Sequence, residues 1–377
     1  MSPARLEDRR PLRVAFVVHV MQVAGAEVLV CETIARLGTR ITPVVFCLDQ
    51  VGALGERLQQ QGVPVIAFNR RPGLDWSLFA RMAREIRDRE IDVVHAHQYT
   101  PFFYASIAAR RSGRRPRVVF TEHGRHYPDV VSWKRRLGNR LLFDRLADRI
   151  TAVCDFSARS LARNDGFSAG RIEVVPNGID LERYDAVADR AALRQRLGLS
   201  ADRTYIIIVA RFHPVKDHAT LLNAFAGVAA ARPDVDLLLA GDGPLRPALE
   251  QQIASLGIGP RMRLLGVRSD VADLLRASDI FTLSSVSEAA SITLLEAMAS
   301  GLPAVVTAVG GNPELVRDGI DGILVPRGDA ARFTAAFLRL IDDADLRRRM
   351  GRSGAERVRS QFRMDTTIER YWTIYTT

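Results

Sequence analysis

Two glutamates, Glu288 and Glu296, lie eight residues apart in the stretch Ser287 to Pro303. The first precedes a helix start and the second falls inside its opening turns, so both can border one pocket. The amides of Ser291, Ile292 and Thr293 would form the amino end of that helix. Unpaired N–H groups and the helix dipole make such an end a seat for a phosphate. A carboxylate at Glu296 can accept two hydrogen bonds from the vicinal hydroxyls of a ribose, as acidic residues do in nucleotide folds. Two capping glutamates on a surface helix would be the plain alternative. Leu294, Leu295, Ala297, Met298 and Ala299 argue against it, because they make this a buried helix.

Arg211 and Lys216 follow the apolar run Tyr205–Val209 in a loop. A rigid guanidinium fork and a mobile ammonium together suit a diphosphate. Only two of the 53 basic residues are lysine, Lys134 and Lys216, so a retained lysine at a strand end stands out. Five of the seven histidines gather at predicted strand ends of the first half: His19, His95, His97, His123 and His126. A polar, hydrated pocket with one or two catalytic histidines is expected there. Zinc is disfavoured: there is no HExxH or Cys/His pattern, and His95 and His97 are expected to face apart on their strand. Gly25, in Val23–Glu27, opens a helix where small residues let amides approach a ligand. Gly243, in Gly241-Asp242-Gly243, reads as a tight turn beneath a cleft, since Arg246 stands where a dinucleotide fingerprint needs its third glycine. Asp234-Val235-Asp236 leads into a strand without an acidic cluster and is not read as a metal motif.

The elements that must position these residues follow from periodicity. In the first half short apolar runs (Leu12–His19, Thr42–Leu48, Val63–Phe68, Asp92–His95, Arg117–Thr121, Arg149–Val153 and Ile172–Val175) alternate with helical patterns. The second half repeats the scheme with Tyr205–Val209, Asp236–Ala240, Met262–Leu265, Ile280–Leu283 and Ala304–Thr307, and everything after Asp329 is helical. Strands alternating with helices mean parallel sheets. The expectation is two α/β, Rossmann-like doubly wound domains facing across a cleft, with ligands at the carboxyl ends of the strands. Residues 1–178 form the first domain, 179–360 the second, and 361–377 a terminal helix returning to the first.

Composition narrows the function. With 377 residues and 47% hydrophobic content the chain can bury two cores, and disorder is excluded. No apolar run reaches the ~18 residues of a membrane helix, and the charged start, Met1 to Arg13, does not read as a signal peptide. Three scattered cysteines exclude a disulfide scaffold and suit a reducing cytoplasm. The net charge of +10 is concentrated: residues 1–180 carry 28 basic and 19 acidic side chains, a balance of +9. That asymmetry fits an anionic partner or an ordinary basic surface. Lys134, Arg135, Arg136 and Arg140, in the partly amphipathic Trp133–Leu142, could rest on an anionic membrane near a lipid-linked acceptor. The same segment reads equally as an ordinary basic helix. Nucleic acid is not expected, because no aromatic-interleaved basic motif appears.

Taken together the pieces resemble the retaining glycosyltransferases of family 4, with the GT-B fold. The resemblance runs from about Leu12 to Val325. It rests on Val175-Pro176-Asn177-Gly178-Ile179-Asp180, Ala210-Arg211 with Lys216, Leu239 to Pro244, and the Glu288…Glu296 helix start. Asp92 to His97 and Thr121-Glu122-His123-Gly124 look like the family's first domain. The resemblance implies a metal-independent enzyme without a cofactor, using a nucleoside-diphosphate sugar as donor and a glycan, lipid-linked or small-molecule acceptor, in cell-envelope or exopolysaccharide synthesis. It places the protein in the cytoplasm or on the inner face of the plasma membrane. Arg211 and Lys216 would stabilise the leaving diphosphate, Glu296 would hold the ribose, and Glu288 would face the reacting sugar. The amides of Ser291, Ile292 and Thr293 would hold phosphate or sugar oxygens. His123 would reach the donor sugar, the Gly25 loop would help close the site, and the backbone of Val267 could touch the base. The family usually carries glycine where this chain has Ala289 and Ser291. A degenerate binding or scaffold subunit and a sugar-nucleotide epimerase on the same architecture are the competing readings.

Overall fold

The computed structural model describes residues 10–22, 25–124, 131–185 and 189–377. His126, Val23 and Ala24 lie outside the described residues. The chain divides into two compact units, one of residues 1–177 with 365–377 and one of residues 178–364.

Unit 1 is built on seven parallel strands: β1 (Leu12–Val18), β2 (Ile41–Cys47), β3 (Val65–Ala67), β4 (Val93–His97), β5 (Arg117–Glu122), β6 (Arg149–Ala152) and β7 (Ile172–Val174), in the order β3-β2-β1-β4-β5-β6-β7. Unit 2 has six: β8 (Thr204–Val209), β9 (Val235–Ala240), β10 (Met262–Gly266), β11 (Ile280–Leu283), β12 (Ala304–Thr307) and β13 (Gly322–Val325), in the order β10-β9-β8-β11-β12-β13. Parallel strands covered by helices on both faces must be apolar throughout. The run Tyr205-Ile206-Ile207-Ile208 and the run Leu237-Leu238-Leu239 are accordingly fully buried. In each sheet the order reverses once, between β1 and β4 in unit 1 and between β8 and β11 in unit 2. Crevices for ligands form at the carboxyl ends of the strands flanking such a reversal. The strand β13 was not anticipated. It is four residues long, flanked by the turn at Gly319 and by Pro326, too short to register as a period.

The helical tail starts where capping chemistry allows. Asp329 accepts from the amide of Arg332, and Asp343 accepts from that of Leu346, opening the helices Ala330–Asp342 and Ala344–Gln361. The last helix, Met364–Thr376, belongs mainly to unit 1. It is fastened there by ion pairs Arg36–Asp365 at 2.5 Å, Arg40–Glu369 at 2.7 Å and Arg370–Glu173 at 2.7 Å. Its buried face carries Ile368, Tyr371, Ile374 and Tyr375, at helical spacing.

Candidate active site

In unit 2 the loops after β8 and β11, on either side of the strand reversal, are stitched to each other. The Ser284 hydroxyl lies 2.9 Å from the carbonyls of Lys216 and Asp217. The amide of Val286 donates to the carbonyl of Val215 at 2.9 Å. Asp217 adopts a left-handed backbone and caps the helix His218–Ala231, accepting from Thr220. This frame delivers the Lys216 ammonium onto Glu288, with Nζ donating to Oε1 at 2.5 Å, and Ser285 Oγ donates to the same oxygen at 2.6 Å. The Glu288 carboxylate is well covered, at 9% side-chain exposure, while Lys216 keeps 23%. A third loop supports the pair. The amide of Gly311 donates to the Glu288 carbonyl at 3.2 Å, and Gly310 has φ +57° with a Cβ position that would run into that carbonyl. Only glycine fits there.

Glu288 leads into the helix Ile292–Ala299, whose N-cap is Ser291. The Ser291 hydroxyl accepts from the Leu294 amide at 3.3 Å. That leaves the amides of Ile292 and Thr293, which have no acceptor within the helix. Neither Ala289 nor Ser291 has a positive φ, so the backbone here does not demand glycine. One turn on, Glu296 is largely enclosed. Burial pushes its carboxyl above the usual range, opposed by a hydrogen bond from Tyr184. Tyr184 is a partner of the candidate Glu296 that sequence reading missed. Nothing in its local pattern marks it, and it comes from a short helix, Glu182–Asp185, far back in the chain.

The remaining unit 2 candidates sit around this frame. Arg211 is exposed and makes no side-chain bond among the described residues. Gly241 and Gly243 pack edge-on against the carbonyls of Ala210 and Phe212, so the expected tight turn is one that holds the Arg211 loop. Val267 follows β10 and is 78% exposed.

In unit 1, Gly25 is exposed at the first turn of the helix Gly25–Leu37. The histidines differ from expectation. His95 and His97 do not face apart: their ring centroids are 4.1 Å apart. Side chains alternate with period two along a strand, so residues two apart share a face. Nor do they line a hydrated pocket, being 1% and 2% exposed. His95 is bound at both nitrogens, Nδ1 to the Tyr375 hydroxyl at 2.6 Å and Nε2 to the Thr121 hydroxyl at 2.7 Å. His97 Nδ1 meets His123 Nε2 at 2.8 Å. Burial holds His95 down to about 3, His123 to about 4 and His97 well below its ordinary value, so all three are neutral near pH 7. Of this group only His123 is partly exposed. His19 is placed apart, beside Asp49 at 3.3 Å.

A cation, a covered carboxylate, free helix amides and a second carboxylate thus gather at one strand reversal. The profile of the glycosyl transferases group 1 matches residues 189–357, and that of Glycosyltransferase Family 4 matches residues 23–183. An N-acetyl-alpha-D-glucosaminyl L-malate synthase of Bacillus anthracis is 33% identical over 310 residues, covering 81% of this chain and 79% of that one. The chain belongs to the family 4 glycosyltransferases. A UDP-Gal:alpha-D-GlcNAc-diphosphoundecaprenol alpha-1,3-galactosyltransferase of Escherichia coli is 29% identical to this glycosyltransferase, over 74% of each chain. The structure of Anabaena HepE in complex with UDP is similar with a TM-score of 0.85 and 25% identity, covering 96% of this chain and 99% of that one. The expected α/β architecture of two Rossmann-like units, that of the GT-B fold, is what the two sheets display.

Proposed function

We propose that this glycosyltransferase moves a hexose from a nucleoside diphosphate, with uridine as the favoured base, to a lipid-linked or glycan acceptor, retaining the anomeric configuration and using no metal. The observation that carries the reading is the Lys216–Glu288 contact at the strand reversal, beside the free amides of Ile292 and Thr293. Breaking the anomeric C–O bond builds negative charge on the departing diphosphate. Lys216, Arg211 and the helix amino end supply positive potential already in place, which lowers the barrier without reorganisation. Glu288 faces the sugar and Glu296, with Tyr184, holds the ribose. Within unit 1 the candidate residues are His123 and the Gly25 loop. The uridine base and lipid-linked acceptor are suggested by the named relatives. The test incubates the purified protein with UDP-, GDP- and ADP-hexoses and candidate acceptors in EDTA, and reads the anomeric coupling of the product by NMR. An inverted product, or a strict divalent-metal requirement, would overturn this reading of the mechanism.

A surface feature supports an inner-leaflet location. Along the helical segment from Trp133, the exposed side chains Trp133 (70%), Leu137 and Leu141 (62%) recur every four residues. Such spacing puts them on one face. Arg136 and Arg140 have no partner among the described residues, and Lys134 only lies over the Trp133 ring. Arg135 is not available as expected, since it is paired with Asp165 at 2.6 Å and stacked over Tyr99. An apolar stripe with three free cations suits anionic lipid. Among the described residues no helix is long and apolar enough to cross a membrane. The protein is expected to sediment with phosphatidylglycerol vesicles at low salt and to be released by high salt. The double substitution Trp133→Ala with Leu141→Ala is expected to weaken that binding about tenfold or more. Equal sedimentation with neutral vesicles would contradict it.

A further inference from the structure

We propose that His97 is a positioning residue that fixes His123 in the tautomer carrying its proton on Nδ1. The inference rests on the proposed function only in what that N–H is for. His97 Nδ1 and His123 Nε2 are 2.8 Å apart, and burial keeps both rings neutral. One proton therefore lies between them, and the question is which ring it belongs to. The answer comes from the far side of His97. Its Nε2 is buried and has no hydrogen-bond partner among the described residues. Were the His97 proton on Nε2, a buried N–H would be left without an acceptor. Orphaned buried donors are rarer than unfilled acceptors. The proton accordingly sits on Nδ1 of His97 and is donated to Nε2 of His123. A neutral imidazole carries one proton, so that of His123 is on Nδ1, the nitrogen without a partner among the described residues.

The geometry that enforces this is deep in unit 1. His97 is held by the His95 ring at 4.1 Å and by Phe16 at 6.3 Å between centroids. His95 in turn is pinned by Tyr375 of the last helix and Thr121 of β5. Thr121 continues to Thr151 on β6 at 2.6 Å. The consequence is chemical. His123 presents a hydrogen-bond donor, suited to a sugar oxygen, and has no free lone pair with which to accept a proton.

The test is a long-range 1H–15N spectrum of the 15N-histidine-labelled protein at pH 7.5, before any substrate is added. His123 is expected to show a protonated Nδ1 and an unprotonated Nε2. In His97→Phe, which keeps a ring but removes the donor, the His123 signals should shift to a mixture of tautomers and kcat should fall roughly 10–100-fold. His97→Asn, whose amide can donate from nearly the same place, should restore most of both. An Nε2-protonated His123 in the unmodified protein would overturn the proposal, and that spectrum decides even if the Phe variant does not fold. An unchanged His123 tautomer in folded His97→Phe would overturn it as well. The expected tautomer in a protein that transfers no sugar would sink the functional reading and leave the positioning role standing.

Discussion

Glu288→Gln and Lys216→Ala should each lower turnover about 10²–10³-fold while the fold survives. That is the usual cost of removing one preorganised charge from a transition state, about 3–4 kcal/mol. The two differ in kind. In the proposed reaction Lys216 meets charge that grows on the leaving diphosphate, so its loss should raise KM for the donor and lower kcat together. Glu288 is proposed to face the sugar, so the Gln variant should bind donor nearly normally and lose kcat. Gln can still accept from Ser285, which limits structural damage. Because the side chains are in contact at 2.5 Å, their effects should be far from additive. The check is steady-state kinetics on both single variants and the double variant, with circular dichroism confirming the fold. Near-normal turnover in both singles would remove Lys216 and Glu288 from the site.

Lowering the pH from 7.5 to 5.5 should destabilise unit 1 by about 4 kcal/mol. The cause is the neutral set His95, His97 and His123, the first two buried and the third partly exposed, all depressed by desolvation below the ordinary histidine value. In the unfolded chain these rings bind protons below about pH 6.5, whereas folded they resist until about pH 4 or lower. The unfolded state therefore binds more protons throughout that window, and stability falls as the pH drops. Each ring contributes about 1.4 kcal/mol per pH unit once below its unfolded value. Carboxylates held low, such as Asp75 at about 2, titrate beneath the window, whereas Glu27, raised by burial, takes up its proton earlier and offsets part of the loss. All three tryptophans, Trp76, Trp133 and Trp372, are in unit 1, so fluorescence reports on this unit alone. The urea midpoint by tryptophan fluorescence should drop clearly between the two pH values. A constant midpoint would show that the histidines are not buried neutral.

The parts legible in the sequence are those encoded locally. Apolar runs gave every strand of unit 1 and all but β13 of unit 2, and Pro176-Asn177-Gly178 marks the place where the chain leaves unit 1. The helix start at Ile292 was readable because Glu288, Ser291 and Glu296 lie within one short window. What was not legible is contact at long range. Tyr375 reaches His95 across 280 residues, and Tyr184 reaches Glu296 from another element. The pairing of Arg135 with Asp165 likewise depends on two helical segments meeting. The contact between His95 and His97 follows from their common strand face, a rule that period-two alternation already contains. Ala289 and Ser291 looked like losses against the glycines of the family, yet the backbone there is ordinary and Ser291 supplies a cap.

The central claim is that unit 2 holds a nucleoside-diphosphate sugar through Lys216, the Ile292 and Thr293 amides and Glu296. Calorimetric titration with UDP-, GDP- and ADP-sugars in EDTA tests it most directly, using the unmodified protein beside Lys216→Ala. The account predicts that one donor binds, that the corresponding nucleoside diphosphate binds too, and that Lys216→Ala weakens both by about tenfold or more. A folded protein that binds none of them, or one whose donor affinity is indifferent to Lys216, would contradict it.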